Sequence, residues 1–195
     1  MNKIYIMKYI LFFLSILTMK LCINAYNSTS CCYCTTVPCP VEGKNLLTIG
    51  GGTTGIYYYT LHNNIPVIAS ADIRISITNI NKGTDTTTCT QNYARSLDDD
   101  GVQDCDAGHI LANHLGGPGN QPINIFPQDL SVNRGTYAQY EDTIYTCITT
   151  KGVDYADLAW IFTYSSNTKT KPINVKYDVS YTGGTCSSTS KTFTN

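Results

Sequence analysis

The sequence predicts an α+β domain: a central antiparallel β-sheet with few helices, a strand–loop–strand–helix unit on one side, and disulfides bracing the whole. Three observations carry this. Residues 67–80 alternate, Ile73, Ile75 and Ile77 against Arg74, Ser76 and Thr78, the period-two pattern of a half-buried strand. Residues 158–164 and 173–181 read as two more strands, the second alternating Val175, Tyr177, Val179 and Tyr181. From about Asn133 to Thr149, Tyr137, Tyr140, Ile144 and Ile148 recur at helical spacing and mark the buried stripe of an amphipathic helix.

The 195 residues suffice for one domain with a sizeable core, preceded by a leader. Residues 1–25 have the build of a secretory signal peptide: Lys3 and Lys8 give a basic start, residues 9–17 an apolar run, and Ala25 a small residue at the cleavage position. Lys20 interrupts the apolar stretch, so a spanning helix of about 20 apolar residues is not available. Residues 26–45 then form a Cys-rich arm and 46–195 the working domain. The mature product is expected to be secreted and extracellular, with no membrane attachment.

Cysteine usage agrees with export. Nine cysteines are present, and losing Cys22 with the leader leaves an even set: Cys31, Cys32, Cys34, Cys39, Cys89, Cys105, Cys147 and Cys186. That suits up to four disulfides. The cluster at Cys31, Cys32, Cys34 and Cys39 contains no histidine, so bridges are favoured over a zinc knot. Connectivity is not readable from spacing, but Cys105 and Cys147 flank one stretch and suggest a bridge bracing it. Asn27-Ser28-Thr29 is a glycosylation sequon. Gly50-Gly51-Gly52 is not followed by Gly-Lys-Ser/Thr, so it reads as a turn into a strand rather than a phosphate loop. His62 falls in a polar turn and is expected at the surface.

The chemistry concentrates between Asp104 and Glu141. A short apolar strand that carries His109 is expected to follow the Asp-x-Gly-His step of Asp106, Gly108 and His109, with a glycine-rich turn beyond it, then a second strand over residues 123–126, Pro127, and the helix from near Asn133. Histidine titrates near neutrality and takes a proton from water at physiological pH. Asn133 offers a neutral oxygen of the kind that Mg²⁺ accepts while keeping several waters. Glu141 lies eight residues on, about 80° around a regular helix, and leans back towards that shell. One base, one metal and a wet coordination sphere suit phosphodiester hydrolysis. The acidic run Asp98-Asp99-Asp100 fails the EF-hand spacing and reads as a solvated loop; Asp106 alone is kept, as a residue that fixes the strand carrying His109. His114 is five residues beyond His109, whereas the two-histidine zinc helix needs four. It is expected to line the entrance or to face solvent.

Asp106-Ala107-Gly108-His109, the Gly116-Gly117-Pro118-Gly119 turn, Asn124-x-x-Pro127-Gln128, Asn133-Arg134-Gly135 and Glu141 together resemble the DNA/RNA non-specific endonucleases of the ββα-metal, or His-Me finger, superfamily. The resemblance implies that His109 is the general base, Asn133 the metal ligand, Glu141 a metal-shell and catalytic residue, and Asn124 and Arg134 further members of the site, supported by Asp106 and Gly108. It implies Mg²⁺, with Mn²⁺ or Ca²⁺ as alternatives, DNA and RNA as substrates with little sequence preference, and 5′-phosphate products. Many members carry arginine, which contacts the phosphate, where this chain has Ala107; Arg134 and Arg95 are the candidates to replace it.

Charge limits the mode of binding. With Lys3, Lys8 and Lys20 gone, ten basic residues face fourteen acidic ones, whereas affinity for nucleic acid comes largely from neutralising phosphates. A local cluster is required, and Arg134, Lys169, Lys171 and Lys176 are candidates for weak, salt-sensitive binding. The competing reading is a catalytically inactive nuclease-fold protein, kept as a secreted binding protein or toxin component. Ala107 and the acidic balance favour it; intact His109, Asn133 and Glu141 oppose it.

Overall fold

The computed structural model describes residues 34–195. The expected leader with Cys22, and residues 26–33 of the Cys-rich arm with Cys31, Cys32 and the Asn27 sequon, lie outside the described residues.

Strands β1 (Gly43–Thr48), β2 (Thr54–His62) and β3 (Ile65–Ile75) come first. Asn63 and Asn64, both at positive φ, make the two-residue turn between β2 and β3; such a turn matches the twist of a hairpin, and asparagine tolerates the left-handed region. Helix α1 (Thr88–Ser96) leads to β4 (Asp106–His109), then β5 (Ile125–Gln128). A broken helix follows as a short α2 (Leu130–Val132), a π-helical turn (Asn133–Tyr137) and α3 (Ala138–Thr150). Strands β6 (Val153–Thr163), β7 (Asn174–Gly183) and β8 (Thr189–Thr194) finish the chain.

Six strands form one antiparallel sheet in the order β1-β2-β3-β6-β7-β8, and β4 pairs with β5 in a separate two-stranded unit. The mixed class expected from the sequence is the one observed. Alternation sets the sheet's faces: Ile73, Ile75, Leu158, Trp160, Val175, Tyr177 and Val179 point inward and are buried. They pack with Ile110, Leu111, Phe126, Tyr137, Ile144 and Ile148 from the β4–β5 unit and its helix. A second cluster of Tyr93, Ala94, Leu97, Cys105, Ala107 and Ile125 holds α1 against β4 and β5. The small unit is thus clamped between the large sheet and α1.

Several boundaries differ from the pattern. β3 stops at Ile75, because Ser76 and Asn79 form a reciprocal capping box that turns the chain into a 3-10 helix; Ile77 is consequently 58% exposed. The strand of the Asp-x-Gly-His step is Asp106–His109 itself, and the second is shifted to Ile125–Gln128, after a 3-10 turn at Pro122–Asn124. The helix expected from near Asn133 begins earlier, at Leu130, because Asp129 Oδ1 accepts from the Ser131 and Val132 amides. Its next turn widens into the π form, and Gly135 sits at φ −120°, ψ −106°, the kind of local bulge often found at functional sites.

Three expectations about side chains are corrected. His62 is buried, its Nδ1 against the Lys169 carbonyl and its ring edge-on to Tyr164. The Asp98-Asp99-Asp100 run is not a solvated loop: Asp98 is 3% exposed and Lys171 Nζ lies 3.1 Å from its carboxylate. Asp99 accepts from the Thr170 and Lys171 amides. Cys105 is buried as a free thiol, pushed up to about 12 by burial and by Asp98, and so braces nothing. Between described residues the bridges are Cys34–Cys89, which fixes the start of α1, and Cys147–Cys186, which ties α3 to the β7–β8 connection.

Candidate active site

The site grows from the ends of β4. At its start, Asp106 accepts from Asn133 Nδ2 at 3.0 Å and from Arg134 Nε and Nη2, both at 2.8 Å. Partial burial pushes the Asp106 carboxyl up, but the hydrogen bonds from Arg134 and Asn133 outweigh it and hold the group below its ordinary value. Because a carboxylate only accepts, the Asn133 amide must present its nitrogen to Asp106. That fixes the flip of the side chain, and Asn133 Oδ1 is left without a hydrogen-bond partner among the described residues.

His109 ends the strand and is half-buried. Its Nε2 lies 3.1 Å from the Thr84 carbonyl. A carbonyl only accepts, so in the neutral ring Nε2 carries the proton and Nδ1 the lone pair. Burial is the largest influence on this imidazole and lowers its pKa; the Thr84 carbonyl and the Asp85 carboxylate push the other way, and His114 adds to the lowering. The net direction is down, so the ring is neutral at pH 7. The Thr84 loop is itself pinned: Thr84 donates its amide to the Gly117 carbonyl, and Asn113 Nδ2 donates to Asp85 at 2.7 Å. Gly119 is required here, since a Cβ at this position would lie 2.4 Å from His109 Nε2.

Asn124 is fully buried, and its amide is consumed by the Leu111 backbone in both directions at 2.9 Å, with Tyr57 Oη donating to the same oxygen. Although expected among the catalytic residues, it has no atom to offer a substrate; it acts by holding the chain just beyond His109. Gly108 has a comparable supporting part: a Cβ there would lie 2.6 Å from the Gln128 Cβ across the strand pair. Tyr137 fastens the π turn to the core, donating to the Ile110 carbonyl at 3.2 Å while accepting from Trp160 Nε1 at 3.0 Å.

Glu141 is 7% exposed, with Oε1 enclosed and without a hydrogen-bond partner among the described residues. Burial, with a contribution from Asp142, drives its pKa well above the ordinary value. It makes no hydrogen bond to Asn133 or His109. The structure therefore joins Asp106, Asn133 and Arg134 directly and places His109 at the other end of the same short strand, about 10 Å along the chain. It sets Glu141 beneath, in the helix face turned to the core. His114 packs edge-on to Tyr145 with Nε2 3.7 Å from Asp142, beside the site rather than in open solvent.

The cations expected to gather substrate are mostly spoken for. Lys169 pairs with Asp99, Lys171 with Asp98 and Asp100, Lys176 with Asp178, and Arg134 with Asp106. Sequence reading missed Thr84, Asp85 and Gln91. The last takes the Ala107 amide at 3.0 Å and donates to the Cys105 carbonyl at 2.7 Å. Only the Thr87-x-x-Thr90 capping box ahead of α1 signals that helix in the sequence, with hydroxyls in both places. A shallow depression on the sheet's outer face, lined in part by Asp72, Arg74, Asp157 and Ser190, includes none of the site residues.

A family model described as DNA/RNA non-specific endonuclease matches residues 48–183. Over 116 residues the chain is 40% identical to a protein named probable deoxyribonuclease RhsA of Dickeya dadantii (strain 3937), a match covering 60% of this chain and 8% of that much longer relative. Among solved structures, NucA from Streptococcus agalactiae with magnesium ion bound has a TM-score of 0.50 at 12% identity, over 80% of this chain and 85% of that one. The same protein with no metal bound gives 0.51 at 12% identity, over 82% and 83%. At such identity the likeness is one of fold. Since the family model spans most of the chain's length, the chain belongs to the DNA/RNA non-specific endonuclease family.

Proposed function

We propose that this chain is a metal-assisted endonuclease that hydrolyses phosphodiester bonds of DNA and RNA with little regard to base sequence. The observation that carries the reading is the pair of constraints on β4. Thr84 holds His109 Nε2, leaving Nδ1 as a neutral base, and Asp106 holds Asn133 Nδ2, leaving Oδ1 as a hard, unpartnered donor. Membership of the family, and the magnesium bound by the NucA structure, support the same assignment.

The residues fit a divalent cation of the Mg²⁺ type. Asn133 Oδ1 and the orphaned Glu141 Oε1 are both oxygen donors, the ligand chemistry that such ions select. Asn133 and Glu141 would hold such an ion, with water completing its shell. When bound, such an ion supplies positive charge to the scissile phosphate and the departing oxygen.

The chain's own part is proton transfer and positioning. His109 Nδ1 removes a proton from water as its oxygen attacks phosphorus in line; the bond from phosphorus to the 3′ oxygen breaks, and the phosphate remains on the 5′ end. The imidazolium formed is stabilised by the Thr84 carbonyl and by Asp85. Two disulfides among the described residues suit an oxidising compartment, and we place the protein outside the cell on that ground.

The test is nicking of supercoiled plasmid and cleavage of RNA, with Mg²⁺ and with chelator. Activity lost in chelator and reduced about 10²–10⁴-fold in His109→Ala is expected. Cleavage that survives the His109 change removes the assignment of the base; no cleavage by the intact protein in any divalent metal favours the inactive binding protein.

A further inference from the structure

Ten basic residues lie in the described part of a chain that must hold a polyanion. Arg74, Arg134, Lys169, Lys171 and Lys176 are held by carboxylates, and Lys191 lies over the rings of Tyr140 and Phe193. Of the cations with no such partner, Arg95 is the one on a helix packed against β4. Gln91 clamps α1 onto the strand through the Cys105 carbonyl and the Ala107 amide. Arg95 follows four residues later, on the same helix face and about 6 Å further along the axis. That places it over the start of β4, where its charge is felt by Asp106. Its side of the helix is exposed to solvent.

The same packing explains why position 107 carries no cation. Ala107 is 5% exposed and sits under α1 with Tyr93, Ala94 and Leu97, so a long side chain there would meet the helix rather than a substrate. α1 is also a rigid platform: the Cys34–Cys89 bridge fixes its start, and Asp98 Oδ2 accepts the Cys105 amide at 2.9 Å just past its end.

We propose that Arg95, carried over the start of β4 by α1, holds a substrate phosphate next to the scissile one, while Arg134 stays committed to Asp106. This rests on the nuclease reading and names the residue that gives it substrate affinity. A guanidinium suits the task, because its planar fork meets two phosphate oxygens at once.

The test separates binding from cleavage. In the His109→Ala background, with chelator present, a short fluorescent DNA duplex is titrated at several salt concentrations. Arg95→Gln is expected to weaken binding about tenfold and to reduce the slope of log K against log salt by about 0.9, the share of one phosphate contact. Arg95→Lys should keep most of the slope. Lys44→Gln and Lys151→Gln remove the same charge from exposed sites away from β4 and should leave the slope unchanged. With His109 restored, Arg95→Gln should raise KM more than it lowers kcat. An unchanged slope in Arg95→Gln, or an equal loss in the Lys44 and Lys151 variants, overturns the proposal. Failure of the nuclease reading itself would appear elsewhere, as an intact protein that cleaves nothing.

Discussion

Replacing Asp106 by alanine separates positioning from folding more cleanly than any other change near the strand. The carboxylate accepts three hydrogen bonds, one from Asn133 and two from Arg134. Arg134 is open to solvent, with 66% of its side chain exposed, so its pair is screened and carries little stability. The Asn133 bond is partly buried and charge-assisted, and its loss should cost about 1–2 kcal/mol. For a domain of this size that is a melting temperature lower by roughly 3–6 °C, with the fold kept. The functional loss should be larger. Without Asp106 the Asn133 amide is free to flip, and Oδ1 no longer faces one way; groups that orient metal ligands typically contribute 10–100-fold in affinity or activity. The assay is plasmid nicking as a function of Mg²⁺ concentration. Half-saturation is expected to move up by about 10–100-fold, with much of the rate recovered at high metal. An unchanged half-saturation point, in a variant shown to be folded, would refute the idea that Asp106 orients the metal ligand.

Further expected outcomes concern the base, its packing and the frame. Because burial holds His109 below the ordinary histidine value, it is neutral above that lowered value and gains its proton only as pH falls through it. The acid limb of kcat/KM should therefore have its midpoint below about 6.5, and a limb centred above that value would contradict the environment described. Gly119→Ala places a methyl against His109 Nε2 and should lower cleavage about 10²-fold or more with a modest change in melting temperature, as displacement of a reacting group does; wild-type rates would show that the ring does not depend on this close approach. Replacing Cys147 and Cys186 by serine opens a bridge spanning 39 residues and should cost about 4 kcal/mol by chain entropy, measured by urea unfolding; a loss near zero would mean that the helix is held by its apolar contacts alone.

The parts of the molecule legible in the sequence are those set by local period. Val175, Tyr177 and Val179 alternate because each faces the same core, and the strand is found where the pattern puts it. The order strand, loop, strand, helix was likewise readable around His109, since glycines, prolines and a helical stripe punctuate it. What escaped was held by distant partners. Helix α1 is polar and short, TCTQNYARS, and owes its place to a bridge at Cys89 and to Gln91 binding β4 backbone. The aspartates at 98–100 look solvated until the lysines of residues 169–171 arrive from seventy residues away. Asn124 reads as a site amide, yet its partners are Leu111 and Tyr57, and only the folded chain shows that none of its atoms remains free. Thr84 contributes a carbonyl, for which a sequence carries no signal at all.

The most direct measurement is a crystal structure of the chain grown with Mn²⁺, in which the metal is located by its own anomalous signal. The expected peak lies about 2.2 Å from Asn133 Oδ1, in the distance range for octahedral cations, with Asn133 Nδ2 still on Asp106 and His109 Nδ1 turned towards the ion's water shell. A peak bound elsewhere, or a His109 ring with Nδ1 against the protein and Nε2 released from Thr84, would contradict the pairing of base and metal ligand across β4.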